Sequence, residues 1–106
     1  MAEAFRGGAE EKKYFGEIFQ FANKVLRMQS RGKIPSNLEL DIDRIVDSKK
    51  DVRLYADCYS VGDESRFYVF DTEHPTLAEC EEAFLEVLKV DKNKNFRGAF
   101  TLIIPI

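Results

Sequence analysis

The sequence predicts an α+β domain, a two-layer sandwich with its elements in the order α-β-β-β-α-β. Two segments, one near the N-terminus and one after residue 75, carry apolar residues at helical spacings of three and four. Three segments between them alternate apolar and polar residues, as strands do, and an apolar segment closes the chain. Short polar stretches separate these segments and predict turns.

The composition is that of one globular domain over residues 1–106, with residues 1–8 expected to form a flexible tail. A chain of 106 residues with 44% hydrophobic and 33% charged residues can bury a core of its own. The two cysteines are too few for a disulfide scaffold, which favours a reducing compartment. No signal-peptide pattern and no run of about 18 apolar residues is present, so we expect a soluble cytoplasmic protein without a membrane partner.

The first helix is predicted from about Ala9 to Ser30. Its apolar stripe consists of Phe15, Ile18, Phe19, Ala22, Val25 and Leu26, widened by Tyr14, Phe21 and Met28. A stripe this wide covers a sheet and leaves apolar surface for a neighbour. Gly32 is suited to end the helix in the left-handed conformation.

The three middle strands are predicted to form an antiparallel meander. Segment 36–46 is ambiguous, because Ser36 and Glu39 have the spacing of a helix capping box. The alternation from Leu38 to Asp43 favours a strand, since a helix cannot keep Leu40 on its buried face. The turn DSKKD, a strand from residue 52, the turn VGDES and the strand RFYVFDT follow.

The stretch FDTEHPTLAEC (residues 70–80) has two interpretations. Asp71, Glu73, His74 and Cys80 together would suit a metal or acid–base site. Alternatively, Thr76 and Glu79 form a capping box that starts the second helix, with Cys80 on its buried face. We favour the helix start, which makes His74 an exposed loop residue and predicts no metal site.

The last strand, FRGAFTLIIPI, poses a conflict. A β-α-β crossover sets it parallel to the third strand and most simply beside the first strand, at an edge of the sheet. Its residues are apolar on both faces, and an exposed edge of this kind invites aggregation. Either the strand enters the interior of the sheet, or it pairs with a second copy. We favour a homodimer, with Phe100, Leu102 and Ile104 on the dimer strand.

The order of one long helix, an alternating meander and a second helix over residues 10–90 is similar to the small acidic dimeric chaperones of bacterial type III secretion. The resemblance implies a dimeric protein that binds other proteins. The chain ends before the further strand and helix that those chaperones carry.

Three sets of residues are candidate functional surfaces. The first is an acidic, tyrosine-bearing sheet side that would meet a protein partner, with a basic partner as the candidate: Glu39, Asp41, Asp43, Tyr55, Tyr59 and Tyr68. The second uses the carboxylates of Glu39, Asp41 and Asp43 with Asp71 to bind Mg²⁺ for phosphoryl transfer or hydrolysis. The third is a basic ridge on the first helix, Lys24, Arg27 and Arg31, which would bind nucleic acid.

The expected function is that of a small acidic protein-binding module, such as a regulator, an inhibitor or a chaperone-like adaptor, without a cofactor. No P-loop, dinucleotide-binding, nucleophile-elbow or zinc-protease motif occurs in the chain. The metal-dependent enzyme and the nucleic-acid binder remain the alternatives. Nucleic acid is less favoured, because residues 34–90 are strongly acidic and the chain carries a net charge of −3.

Overall fold

The computed structural model describes residues 9–46 and 51–105 and contains the predicted elements in the predicted order. These are α1 (Ala9–Ser30), β1 (Leu38–Ile45), β2 (Arg53–Ser60), β3 (Arg66–Glu73), α2 (Leu77–Leu88), a short 3-10 helix (Lys89–Lys92) and β4 (Phe96–Pro105). The α+β class is therefore confirmed, and so is the strand assignment for segment 36–46. The expected tail at residues 1–8, the turn at residues 47–50 and Ile106 lie outside the described residues.

The sheet has the strand order β1-β4-β2-β3. β4 runs parallel to β1 and antiparallel to β2, and β2 and β3 form an antiparallel hairpin. The directions of β1, β2 and β3 alternate as in a meander, and β4 runs in the direction of β3, as predicted. The expected position of β4 at an edge is wrong, because β4 lies between β1 and β2 and separates them. In this interior position, the backbone amides and carbonyls on both sides of the apolar strand have hydrogen-bond partners on β1 and β2.

The two helices cover one face of the sheet, and the core lies between these two layers. Phe100, Leu102 and Ile104 are completely buried there, and the rings of Phe21 and Phe84 contact that of Phe100. The assignment of these three β4 residues to a dimer strand is therefore corrected: the helices of the same chain cover them. A homodimer through another surface stays a prediction.

The wide apolar stripe predicted for α1 packs against the core except at Leu26, which is 40% exposed. Four of its residues are buried: Ile18, Phe21, Ala22 and Val25. Four more are partly buried against the core: Tyr14, Phe15, Phe19 and Met28. Within the described ranges, no helix is long and apolar enough to cross a membrane.

Local signals set the helix ends as predicted. Gly32 has a φ of 70°, and the amides of Gly32 and Lys33 donate to the carbonyl oxygens of Gln29 and Met28, which is a Schellman motif. At the start of α2, the Glu79 amide donates to the Thr76 hydroxyl, and the Thr76 amide donates to the Glu79 carboxylate. These reciprocal bonds form the predicted capping box.

The amide side chain of Asn37 ties the start of β1 to the start of β4. Its nitrogen donates to the carbonyl oxygens of Val90 (2.7 Å) and Phe96 (2.9 Å). The backbone oxygen of Asn37 accepts from the amide of Gly98. These bonds fix the register in which β1 lies beside β4.

Candidate functional site

The face of the sheet opposite the helices, called here the open face, is the candidate site. In β2, Leu54, Ala56 and Cys58 are completely buried towards the helices. Because side chains alternate along a strand, the side chains of Arg53, Tyr55, Asp57 and Tyr59 belong to the open face. In the described part of the chain, no helix packs on that side.

The strand pairing arranges the open face in three rows that cross the sheet from β1 through β4 and β2 to β3. The rows are Glu39, Ala99, Asp57 and Val69; Asp41, Thr101, Tyr55 and Asp71; and Asp43, Ile103, Arg53 and Glu73. Read along the strands, β1 therefore contributes only carboxylates to these rows. β4 contributes small or apolar side chains, and β2 contributes long polar ones.

The carboxylates of Glu39, Asp41 and Asp43 form what we call the acidic column. All three residues are exposed, and no Lys or Arg among the described residues forms an ion pair with them. A hydrogen bond with Asp43 raises the pKa of Asp41, and the negative charges of Asp43 and Glu39 act in the same direction. The column is thus a concentration of negative charge without a counter-charge in the described part of the fold.

A polar cluster lies beside the column, on β2 and β3. The Tyr55 hydroxyl donates to Asp57 Oδ2 (2.6 Å), and Arg66 Nη1 donates to the same oxygen (3.1 Å) and to the Tyr55 oxygen (2.9 Å). Asp57 is only 6% exposed. Its hydrogen bond with Tyr55 is the main reason that the pKa of Tyr55 is raised. The carboxylate of Asp57 therefore holds Tyr55 and Arg66 in fixed positions.

Most of the charge on the β3 side of the open face is paired, with two arginines against three carboxylates. Arg53 Nη2 lies 3.0 Å from Asp71 Oδ1, and Arg53 Nη1 lies 3.6 Å from Glu73. Arg66 neutralises Asp57 in the same way. The β3 side therefore has an excess of one negative charge, whereas the three carboxylates of the acidic column form no ion pair among the described residues.

Two shallow concavities lie over β4. One, of about 510 Å³, is lined by Thr101, Ile103, Tyr55 and Arg53, among others. The other, of about 320 Å³, lies over Ala99, and its lining includes Glu39, Tyr59 and Arg97.

We call the strip of the open face over Ala99, Thr101 and Ile103 the groove along β4. Of the acidic column, only Glu39 lines a concavity, but Asp41 and Asp43 lie on the neighbouring strand at the positions paired with Thr101 and Ile103. The groove therefore has the acidic column on its β1 side and the tyrosines and an arginine of β2 on its other side.

The structure brings together most of the predicted partner-binding residues but not Tyr68. Tyr55 and Tyr59 lie on the open face with the acidic column. Tyr68 pairs with Cys58 and therefore shares its face, where it packs against the core. An irregularity of the pairing at Cys58 and Tyr59 places Arg66 opposite Tyr59. Strict alternation would put Arg66 and Tyr68 on one face, and the bulge separates them, with Arg66 on the open face and Tyr68 on the core side. Arg66 was not among the predicted partner-binding residues.

The arrangement does not favour the metal-dependent alternative. Asp71 and Asp41 lie in one row but on the two outer strands, three strand spacings or about 14 Å apart. That is too far for both to bind one cation. Among the residues described, no group of three or more His, Cys, Asp or Glu is placed to hold a metal ion.

His74 is not the exposed loop residue that the sequence suggested. Its ring stacks on Tyr14 with the centroids 4.2 Å apart, and its Nδ1 lies 4.0 Å from Asp51. It has a φ of 56°, and its amide donates to the carbonyl oxygen of Val52. His74 therefore joins the end of β3 to α1 and to the start of β2.

The remaining candidates lie away from the open face. Cys80 is completely buried, and burial raises the pKa of its thiol to about 12, which disfavours the nucleophilic thiolate. Lys24 and Arg27 are exposed on α1, and Arg31 is exposed directly after its end, on the other layer of the sandwich. The basic ridge and the acidic column are therefore separate surfaces.

Comparison with known proteins does not identify a relative. No family model matches the chain, and neither a curated protein nor a solved structure matches it. The similarity in element order to type III secretion chaperones has no structural match behind it, so function is argued from the open face alone.

Proposed function

We propose that this protein is a binding module that holds an extended, basic segment of a partner protein in the groove along β4. The observation that carries the proposal is the acidic column, whose carboxylates form no ion pair with Lys or Arg among the described residues and lie beside small or apolar side chains of β4. A basic segment would supply that counter-charge. The proposal thus assigns recognition to the open face and requires no catalysis.

The spacing of the acidic column suits a partner in extended conformation. Glu39, Asp41 and Asp43 occupy alternate positions of one strand, so they recur about every 6.6 Å. An extended segment has the same repeat on each of its faces. Lysine or arginine at its positions i, i+2 and i+4 would meet the three carboxylates in turn.

The opposite wall of the groove supports the same proposal. Tyr55 and Tyr59 offer aromatic area with polar ends, a combination that is common at the centres of protein interfaces. The bonds from Tyr55 to Asp57 and Arg66 hold that ring in place before a partner arrives. The Tyr55 side chain then loses less conformational entropy when a partner binds.

The spacing is tested with two peptides of identical composition, Ac-TKTKTKT-NH₂ and Ac-TTKKKTT-NH₂. Fluorescence anisotropy of labelled peptides at low salt measures their affinities. We expect the alternating peptide to bind more tightly, because only its lysines match the repeat of the acidic column. Equal affinities would show that net charge alone attracts the peptide and would contradict the proposed groove.

The surface is tested by reversing two charges with Asp41→Lys and Asp43→Lys in one protein. The double variant loses two attractions and gains two repulsions of about 0.5 kcal/mol each, which amounts to about 2 kcal/mol or roughly thirtyfold in affinity. The matched control is Glu81→Lys with Glu82→Lys on α2, which makes the same change in net charge on the other layer. An equal loss of affinity in both variants would remove the acidic column from the proposal.

A further inference from the structure

The outer edge of β3 is a second surface that the proposed function does not use. β3 lies at the end of the sheet and has no strand beyond it in the described fold. Phe67 and Val69 on this strand are each 52% exposed, although they are apolar. Exposed apolar residues on an edge strand mark a place where another strand can add to the sheet.

The ladder shows which backbone groups face outwards. The amide of His74 donates to the carbonyl oxygen of Val52, so these two residues form a hydrogen-bonded pair. Along an antiparallel ladder, hydrogen-bonded pairs alternate with non-hydrogen-bonded pairs. Every second residue of β3 before His74 therefore also directs its backbone groups to β2, namely Thr72, Phe70 and Tyr68. The amides and carbonyls of Val69 and Asp71 therefore point away from the sheet.

Charge distinguishes the two edges of the sheet as sites for a second copy of this chain. The β1 edge carries the acidic column, so two such edges would repel each other. At the β3 edge, Arg53 pairs with Asp71 and Glu73, and Arg66 pairs with Asp57. The β3 side thus has an excess of one negative charge against three at the β1 edge, so two copies, each with a net charge of −3, meet less local repulsion along β3 than along β1.

We propose that two copies pair antiparallel along β3, with Val69 on the two-fold axis. This register places Val69 opposite Val69 on one face and Tyr68 opposite Phe70 on the other. The rings of Tyr68 and Phe70 already pack against the edge of the core, so the pairing extends the core across the axis.

Each alternative register has a less favourable centre. With Phe70 on the axis, Val69 would lie opposite Asp71, and with Asp71 on the axis, two carboxylates would lie opposite each other. The register centred on Val69 moves the contact with Asp71 outwards to Phe67 and keeps apolar and aromatic pairs at the axis.

The pairing has a consequence for the open faces. Residues opposite each other in an antiparallel ladder share a face, so the eight-stranded sheet would carry both open faces on one side. The β4 strands of the two copies would lie five strand spacings apart, about 24 Å. A single strand pair buries less area than a standard interface, so we expect a dimer that forms in a concentration-dependent manner.

Sedimentation equilibrium of the full chain, without peptide, tests the dimer independently of the groove. We expect a monomer–dimer equilibrium that Val69→Lys weakens about tenfold or more, because two like charges then lie opposite each other. Leu85→Lys, at a 62% exposed apolar position on α2, is the matched control and should leave the equilibrium unchanged. A wild-type monomer up to about 1 mM, or equal effects of both variants, would overturn the proposal.

Disulfide trapping tests the register. Hydrogen-bonded residues across an antiparallel pair have Cα atoms about 5.5 Å apart, which a disulfide can bridge. Val69→Cys should therefore form a covalent dimer under mild oxidation, whereas Leu85→Cys should not. Trapping of both variants at the same rate would indicate random collision and overturn the register.

Discussion

Asp57 is the residue on which the order of the open face most depends. Its carboxylate is almost completely buried, and Oδ2 accepts from both Tyr55 and Arg66. Among the described residues, no donor reaches its Oδ1. A buried carboxylate in a two-layer sandwich is costly unless it is bonded, so Asp57 depends on these two partners.

Asp57→Asn should lower the free energy of unfolding by about 1–2 kcal/mol, because the bond from Tyr55 becomes a neutral one and the bond from Arg66 loses its negative acceptor. Asp71→Asn is the matched control, since the ion pair of Asp71 with Arg53 is largely exposed and should contribute about 0–1 kcal/mol. Urea unfolding of the two variants measures the difference. Equal decreases in the free energy of unfolding would show that the buried hydrogen bonds of Asp57 stabilise the fold no more than the exposed ion pair of Asp71.

The two cysteines should be unreactive in the folded protein. Cys58 and Cys80 are free and completely buried, and burial raises their pKa values to about 11 and about 12. At pH 8 the folded protein therefore carries almost no thiolate. In denaturant at that pH, Ellman's reagent should react with both thiols. In the native protein, both thiols should react much more slowly. Rapid reaction of the native protein would mean that one thiol is accessible.

At the scale of single elements, α2 illustrates a structure that local chemistry specifies. Thr76→Ala removes the hydroxyl that accepts from the Glu79 amide and should lower the free energy of unfolding by about 1 kcal/mol. Thr76→Ser keeps an acceptor at the same place and should cost much less. Thermal unfolding of both variants provides the comparison, and equal losses would show that the methyl group, rather than the cap, matters.

Helices and strands were predictable because their signals lie within a few residues of one another. Gly32 and the pair Thr76 and Glu79 each form the bonds expected from their spacing. The position of β4 was not predictable in this way, because it depends on which distant strands it meets. The apolar character of Phe100 and Leu102 required cover, but spacing could not tell whether the helices of the same chain or a second copy provides it.

The open face was predictable only in part, for a related reason. Strict alternation located Glu39, Asp41 and Asp43 on one side of β1. It misplaced Tyr68, because the irregular pairing near Tyr59 shifts the phase of β3 between Arg66 and Tyr68. Thr101 could be recognised as part of the groove floor only after β4 was found beside β1.

For the whole molecule, the acidic column and the basic ridge lie on opposite layers. The acidic column lies on the open face, and the basic ridge consists of Lys24 and Arg27 on the exposed side of α1 and Arg31 directly after it. Because α2 also displays glutamates, Glu81 and Glu82 among them, the attraction of a basic partner to the open face depends on the spacing of the column and not on net charge alone. Because the column is exposed, that attraction should weaken as salt approaches 0.1 M, where the screening length is about 10 Å.

The most direct test of the central claim is an amide chemical-shift map of the isotope-labelled protein during titration with Ac-TKTKTKT-NH₂. The open-face groove predicts that the largest shifts fall in β1 and β4, at residues 39–43 and 99–103, and near Tyr55. The amides on the exposed side of α1 and α2 should stay unchanged. Shifts concentrated on the helical layer would contradict binding in the groove. A shift map that stays unchanged in the double variant Asp41→Lys with Asp43→Lys would contradict it as well.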